Sequence, residues 1–344
     1  MISKQAITAY CKEKGIPSFR AKQILHAFYK EGRRNFTEIS VLPRDLQKSF
    51  GGVFPIFSFE VAREVVSQTG DTIKTLFKLH DGKLIEGVLM RFRDNRNSVC
   101  VSSQVGCGLK CAFCATGTMG FIRNLTAEEI ADQVLYFDHW LKKNEKNKLR
   151  DRVNHVIFMG MGEPFLNYEE VMKSVKILND PDLLGIAARH ITVSTSGVIP
   201  GIEKLAQEKT QINLAISIHA PNQTLREKFM PIAKAYKLDA LIKAIKAYIQ
   251  KTHRRVSYEY VMLKNINDSE NLARELAKLI KGQQCHVNLI PYNETYLGFS
   301  NAGKSRIDGF REILESFDIP VTVRVSLGQD ISAACGQLAI NPKP

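Results

Sequence analysis

Residues 98–118, SVCVSSQVGCGLKCAFCATGT, join a short β-branched run to three closely spaced cysteines. The run 98–103 has the length and composition of a buried strand. It leads into Cys107-Gly-Leu-Lys-Cys111-Ala-Phe-Cys114, a C-x3-C-x2-C loop. Three thiolates on one loop can hold three irons of a cubane and leave the fourth iron open to a substrate. A structural zinc takes four protein ligands, and the next histidine along the chain is His139. Ferredoxin-type clusters use four cysteines. Three cysteines at the end of a strand therefore point to a catalytic 4Fe–4S cluster held by Cys107, Cys111 and Cys114.

Outward from this loop the rhythm is regular. Further β-branched runs lie at 155–161, 191–195, 212–219, 256–263, 286–291 and 321–326. Helical stretches separate them at 126–142, 168–178, 202–207, 238–251, 269–280 and 305–317. Thr126 with Glu129 has the capping-box pattern. The alternation predicts an α/β fold of βαβ units, a partial (β/α)6 barrel over residues 96–330. Such barrels gather functional groups at the C-terminal ends of their strands. Several strand ends carry small or polar residues: Gly162-Glu163-Pro164, Ser194-Thr195-Ser196, Ser217-Ile218-His219 and Tyr292-Asn293. Any one of them alone reads as a satisfied structural group. The glycines at 160 and 162 lack the third glycine of a Rossmann fingerprint.

Residues 1–70 read as a small helical accessory domain, with helices expected over 8–14, 20–29 and 42–50 and Pro43 in the first turn of the last one. Period-two alternation at Phe57, Phe59, Val61 and again at Thr75, Phe77, Leu79 predicts a small sheet within 54–93. The expected organisation is a helical module to residue 70, a β-extension over 71–95, the barrel, and a C-terminal segment over 331–344.

The 344 residues hold 48 Lys and Arg against 35 Asp and Glu, a net charge of +13. That excess suits a polyanion, because each phosphate neutralised releases a counterion. The loop over 141–152 is basic and suits a solvated surface or an RNA contact. Aromatic content is 8%, and no aromatic–basic alternation marks a single-strand platform. Seven cysteines, three of them within eight residues, argue for metal or redox chemistry and against a disulfide framework. No run approaches ~18 apolar residues, so no membrane span is expected. The N-terminus lacks a secretory h-region, which makes the cytoplasm the expected location.

The cysteine spacing, with Phe113 before the last cysteine, resembles the signature of the radical S-adenosylmethionine superfamily. The strings SSQVGCGLKCAFCATG, FMGMGEP, STSGVIPGI, ISIHAPN, NLIPYN and AACGQL resemble the RlmN/Cfr family of RNA methylases over about residues 85–340. Pro164 stands where the Cfr branch has Ala, which favours the RlmN branch and C2 over C8 methylation. The resemblance implies methylation of C2 of adenosine 2503 in 23S rRNA and of adenosine 37 in some tRNAs. It implies S-adenosylmethionine on the open iron, two molecules per turnover, and a flavodoxin-type electron donor.

By the same resemblance Cys335 carries the methyl group. A radical from a second S-adenosylmethionine abstracts hydrogen from it, and the carbon radical adds to C2. Cys100 resembles the resolving cysteine that breaks the protein–RNA link by thiol–disulfide exchange, and Glu86 the general base. Gly162, Glu163, Ser194, Ser217, Ile218, His219 and Asn293 take the positions of S-adenosylmethionine contacts. By residue type alone Cys100 would be an inert buried cysteine, Glu86 a strand carboxylate and His219 a core histidine. Cys11 and Cys285 match nothing and read as structural. A non-catalytic RNA-binding protein with zinc on the three cysteines would account for the charge but not for Cys100 and Cys335.

Overall fold

The computed structural model describes residues 2–148 and 150–339. The chain opens with helices α1 (Lys4–Glu13), α2 (Ser18–Tyr29) and α3 (Arg44–Val53). The Ser3 hydroxyl caps α1 by accepting from the Ala6 N–H at 3.1 Å. Helix α2 buries Ile24, Leu25 and Phe28, its helical-spacing stripe. Pro43 sits at the N-cap of α3, one step outside the turn expected for it. Phe50 is fully buried and stacks on Phe36 and Phe54 at 5.8 and 6.0 Å. The module docks on the barrel through buried polar contacts: His139 Nε2 lies 2.7 Å from the Phe28 carbonyl, and Lys142 Nζ donates to Tyr29 O at 3.1 Å.

Helix ends at Val53, not at residue 70. Three antiparallel strands follow: β1 (Phe59–Val66), β2 (Thr72–Leu79) and β3 (Leu84–Arg91). The expected boundary between residues 70 and 71 would separate β1 from its partner. Gly51, Gly52 and Pro55 end the helical run, and the alternation from Phe57 governs from there.

Strand β4 (Asn97–Cys100) joins this extension to the barrel, antiparallel to β3 and parallel to the next barrel strand. The single strand expected over 98–103 is divided. The chain leaves the sheet after Cys100, and β5 (Gln104–Cys107) pairs instead with β6 (Gly120–Asn124) as a separate hairpin that carries the cysteines. Within that hairpin the register shifts between Val105 and Gly106, where Gly106 has φ 72° and its α-carbon faces the Gly120 carbonyl.

The remaining elements follow the expected alternation: α4 (Ala127–Asn144), β7 (His155–Phe158), α5 (Tyr168–Asn179), β8 (Ile191–Thr195), α6 (Ile199–Leu205), β9 (Asn213–Ser217), α7 (Gln223–Phe229), α8 (Leu238–Thr252), β10 (Val256–Met262), α9 (Glu270–Ile280), β11 (Cys285–Pro291), α10 (Lys304–Glu315) and β12 (Val321–Val323). Helix α7 was not among the expected elements. The order β1-β2-β3-β4-β7-β8-β9-β10-β11-β12 is one sheet, parallel from β4 onward. Six crossovers thus build a partial barrel, open between β12 and β4 among the described residues. Along β10, Tyr258, Tyr260 and Met262 are fully buried on one face, while Glu259 and Val261 alternate with them on the other.

Gly106 gives a stability test. A Cβ there would lie 1.9 Å from the Gly120 carbonyl oxygen, whereas at Gly15, with φ +64°, it would meet nothing within 4 Å. Gly15→Ala should cost about 1–2 kcal/mol, the left-handed backbone alone. Gly106→Ala should cost about 3 kcal/mol or more, because the hairpin must shift as well. Thermal or urea unfolding of the two variants should show that order, with lower iron content only in Gly106→Ala.

Candidate active site

The C-terminal strand ends, the cysteine hairpin and the C-terminal segment enclose a cavity of about 990 Å³ of atom-free space, counting space open to solvent. Cys107, Cys111 and Cys114 line one wall. Gly162, Glu163, Ser194, Ser217 and His219, from the ends of β7, β8 and β9, line the other, and Asn293 and Cys335 close it. Among the described residues no three His, Cys, Asp or Glu side chains are gathered on one point. The thiols instead face a shared space, as the corners of a polynuclear cluster would require.

Phe113 fixes the cysteine loop. Its ring meets His219 edge-on at 5.0 Å and Phe229 at 5.8 Å, and the Ala112 N–H donates to Phe229 O at 2.9 Å. Burial pushes the Cys107 thiol up to about 11 and Cys111 higher still, so binding iron as thiolates must release protons.

Behind Cys111 stands Arg226, whose side chain is fully buried on α7. Its Nε donates to Ile218 O at 3.2 Å and one Nη to Ser196 O at 2.6 Å. The other Nη has no hydrogen-bond partner. Burial pulls its pKa down to about 10, opposed by Cys111. A buried cation without a counter-charge costs several kcal/mol. A cubane on three thiolates is anionic and would supply that counter-charge at Cys111. The orphaned donor and the soft donor set both fit a 4Fe–4S cluster here.

The facing wall is built from backbone as much as from side chains. The Glu163 carboxylate accepts from the Phe165 N–H at 3.1 Å and the Ser196 N–H at 2.8 Å, and burial raises its pKa. Gly162 has φ 102°, and a Cβ there would lie 2.6 Å from Gln104 Cβ. His219 Nδ1 accepts from the Val261 N–H at 3.0 Å, so its proton rests on Nε2. Burial pushes its pKa down to about 3, which leaves a neutral N–H donor on the cavity wall. Ile218 departs from expectation. Between Ser217 and His219 the backbone turns its side chain into the core, fully buried, and only its main chain points toward the site, to Glu259 and Arg226.

The C-terminal segment is stitched onto the cysteine loop. The Ala115 N–H donates to Gly336 O at 2.8 Å, the Thr116 hydroxyl to Leu338 O, and Asn293 Nδ2 to Cys335 O at 3.1 Å. Cys335 is exposed to the cavity. Burial among protein groups raises its pKa, and the Arg324 guanidinium beside it pulls the other way. Cys100, buried at the end of β4, lines a second, lower cavity together with Cys335, and burial raises its thiol strongly. Glu86, on β3, lines neither cavity. One of its oxygens lies 3.3 Å from Lys74 Nζ, and the other is buried without a hydrogen-bond partner. Cys11 and Cys285 are buried away from the cavity.

Arg226, Glu259 and Arg324 were not among the sequence candidates. Arg226 left a signal: it shares the buried face of α7 with Phe229, a charge where an apolar residue belongs. Residues 101–276 match the model of the radical SAM superfamily. A probable dual-specificity RNA methyltransferase RlmN of Thermoanaerobacter sp. is 43% identical over 94% of this chain and 92% of its own length. A ribosomal RNA large subunit methyltransferase N of Nitrosopumilus maritimus is 43% identical over 94% of this chain and 93% of its own.

The chain belongs to the RlmN family.

A crystal structure of a radical SAM methyltransferase from Sphaerobacter thermophilus, 43% identical, superposes with a TM-score of 0.92 over 98% of this chain and 97% of that one. RlmN proteins are S-adenosylmethionine-dependent RNA methyltransferases, so the cavity is an enzyme's, and membership of the radical SAM superfamily implies the cluster and S-adenosylmethionine that its walls fit. No helix among the described residues is long and apolar enough to cross a membrane.

In this RlmN chain the cluster assignment has a sharp control. Cys107→Ala, Cys111→Ala and Cys114→Ala should each lose iron and the brown colour after anaerobic reconstitution. Cys11→Ala and Cys285→Ala should keep both. Iron analysis and the visible spectrum read the difference, and a colourless protein with bound zinc would favour the non-catalytic alternative.

Proposed function

We propose that this RNA methyltransferase methylates C2 of adenosine 2503 in 23S rRNA, and of adenosine 37 in some tRNAs, by a ping-pong route through Cys335 and Cys100. The carrying observation is the pair of non-cluster thiols. Cys335 is tied to the cysteine loop by its own segment, and Cys100, at the end of β4, lines the same lower cavity as Cys335. C2 of adenine is electron-poor and cannot attack a sulfonium methyl, so the methyl must first pass to a better nucleophile. A thiolate is one, and Arg324 favours that form at Cys335.

The cluster with bound S-adenosylmethionine would supply hydrogen abstraction from an unactivated methyl and would take back the one electron left on the RNA adduct. Glu163 suits the S-adenosylmethionine ammonium, while the His219 Nε2–H, Ser194, Ser217 and Asn293 offer polar contacts, with Gly162 leaving space. The Glu86 carboxylate takes the C2 proton on its oxygen that has no hydrogen-bond partner. Cys100 then attacks the Cys335 sulfur. The S–S bond forms, the C–S bond breaks, and its electron pair stays on the methylene carbon, which gains a proton to become the methyl group. The net charge of +13 suits the RNA. A flavodoxin-type donor and a cytoplasmic location complete this reading. Pro164 and the family likeness favour C2 over C8.

The two thiols should fail differently. Cys335→Ala has no sulfur to carry the methyl group and should form no RNA adduct. Cys100→Ala lacks only the resolving thiol and should accumulate a covalent protein–RNA species, a nuclease-sensitive slow band on a denaturing gel. The reverse pattern would exchange the roles, and turnover by Cys100→Ala with no adduct would dismiss the two-cysteine route. Mass spectrometry of digested RNA separates 2-methyl- from 8-methyladenosine.

Glu86 predicts a pH dependence. Burial raises its pKa and Lys74 opposes the rise. Only the ionised carboxylate is a base, so activity should climb with pH along a limb lying above the ordinary glutamate value near 4.3. Lys74→Met removes the opposing charge and should move that limb to higher pH. Glu86→Gln should remove the limb and slow the reaction by about 10²–10⁴-fold. A kcat/KM profile unmoved in Lys74→Met would take Glu86 out of the base role.

A further inference from the structure

Below the active-site cavity the barrel interior holds a second one, of about 2700 Å³ counting space open to solvent. It begins at the N-terminal ends of the strands, at Ser98, His155, Thr192 and Asn213, and runs upward to the thiol pair. Cys335 lies on the walls of both cavities, whereas Cys100 lines only the second. A reagent that attacks the Cys100 sulfur must therefore come from below. From above, the way is taken up by the space that the cluster and S-adenosylmethionine fit.

The lower cavity carries an excess of arginine. Six line it, and three of them, Arg91, Arg96 and Arg324, are ion-paired with Glu145, Asp94 and Glu259, which leaves Arg93, Arg150 and Arg189. Arg93 and Arg189 are exposed at its rim, and neither stands in an ion pair among the described residues. Arg96 is paired with Asp94 at 2.8 Å. Deeper in, Arg150 has a buried Nε without a hydrogen-bond partner. A charged mouth of one sign, narrowing between low-dielectric walls, concentrates ligands of the other sign.

We propose that this lower cavity admits a small anionic thiol, which reduces a Cys100–Cys335 disulfide and returns the enzyme to its starting state. The proposal rests on the two-cysteine reading above, which leaves that disulfide after every turnover. The thiolate of the reductant attacks the Cys100 sulfur. The S–S bond breaks, and Cys335 leaves as a thiolate beside Arg324. A second equivalent of thiol attacks the mixed disulfide, Cys100 leaves as a thiolate that takes a proton, and the reductant departs as its own disulfide. Two thiols are oxidised for one protein disulfide reduced. The geometry divides the labour of the barrel: S-adenosylmethionine and RNA meet at the upper end, and reducing equivalents for the thiol pair arrive at the lower one.

The test starts from full-length reconstituted enzyme after a single turnover in thiol-free buffer. Peptide mapping without reduction comes first. If no Cys100–Cys335 disulfide is found, the two-cysteine reading fails, and the proposal falls with it. With the disulfide in hand, its reduction is timed by alkylation and mass spectrometry, using 3-mercaptopropionate, 2-mercaptoethanol and cysteamine in turn. Each rate for Arg93→Glu and Arg189→Glu is divided by the parent rate for the same thiol, which cancels intrinsic nucleophilicity. The anionic thiol should slow about three- to tenfold, the neutral thiol should change less than about twofold, and the cationic thiol should speed up. Added salt should shrink the advantage of the anionic thiol in the parent enzyme, which requires no variant to fold. Equal ratios for all three thiols, or reduction by a protein dithiol alone, would overturn the proposal.

Discussion

A guanidinium without a carboxylate is the constraint on which the site depends. Arg226 is fully buried, donates to the carbonyls of Ser196 and Ile218, and keeps one Nη free near Cys111. Those carbonyls belong to the ends of neighbouring strands, so one side chain sets their spacing and aims positive charge at the cysteine loop. Backbone carbonyls alone compensate a buried cation poorly. The folded chain thus has a standing requirement for negative charge at Cys111, and an iron–sulfur cluster on three thiolates satisfies it. The same cation favours a neutral His219, whose pKa it lowers further after burial.

The second constraint joins residues far apart in sequence. Ala115 and Gly336 share a backbone hydrogen bond, and Thr116 holds Leu338. The methyl-carrying sulfur of the proposed mechanism is therefore referenced to the cysteine loop itself, not to the end of a flexible segment. This addresses the problem of bringing a reactive carbon to a base, because small displacements of reacting atoms cost large factors in rate.

Much of the barrel was legible because its signals were local. The expected run at 191–195 coincides with β8, and the runs at 256–263 and 286–291 differ from β10 and β11 by a residue at one end. These are buried parallel strands, where β-branched and aromatic residues have few alternatives. The three-cysteine loop was legible for the same reason. What escaped was decided by tertiary context. The run at 98–103 has strand composition throughout, yet the ladder stops at Cys100 and residues 101–103 lead the chain out to the β5–β6 hairpin. Ile218 sits inside a motif of cofactor contacts, but strand alternation sends its side chain to the core. Glu259 and Arg324 are distant in sequence and become partners, 3.6 Å apart, only when β10 and the chain after β12 meet in the barrel. No spacing in the sequence marks such a pair.

That pair explains how the Cys335 thiol can serve as a nucleophile in the proposed mechanism. Burial favours the neutral form of both Cys100 and Cys335, which protects two adjacent thiols from premature reaction. Arg324 opposes that effect at both sulfurs, but it is the first influence after burial at Cys335 and the weakest one at Cys100. Arg324 is shared between that sulfur and the Glu259 carboxylate, which is itself held by Asn288 Nδ2 at 2.8 Å. When the sulfur is a thiolate, the guanidinium can stabilise it. When the sulfur is methylated and neutral, the guanidinium still has Glu259 and is not left as an unpaired buried charge. The cost of carrying a neutral methyl thioether is thereby kept low. Arg324 has a counter-charge in every state of the sulfur, and the reactivity of Cys335 can change from step to step without disturbing the fold around it.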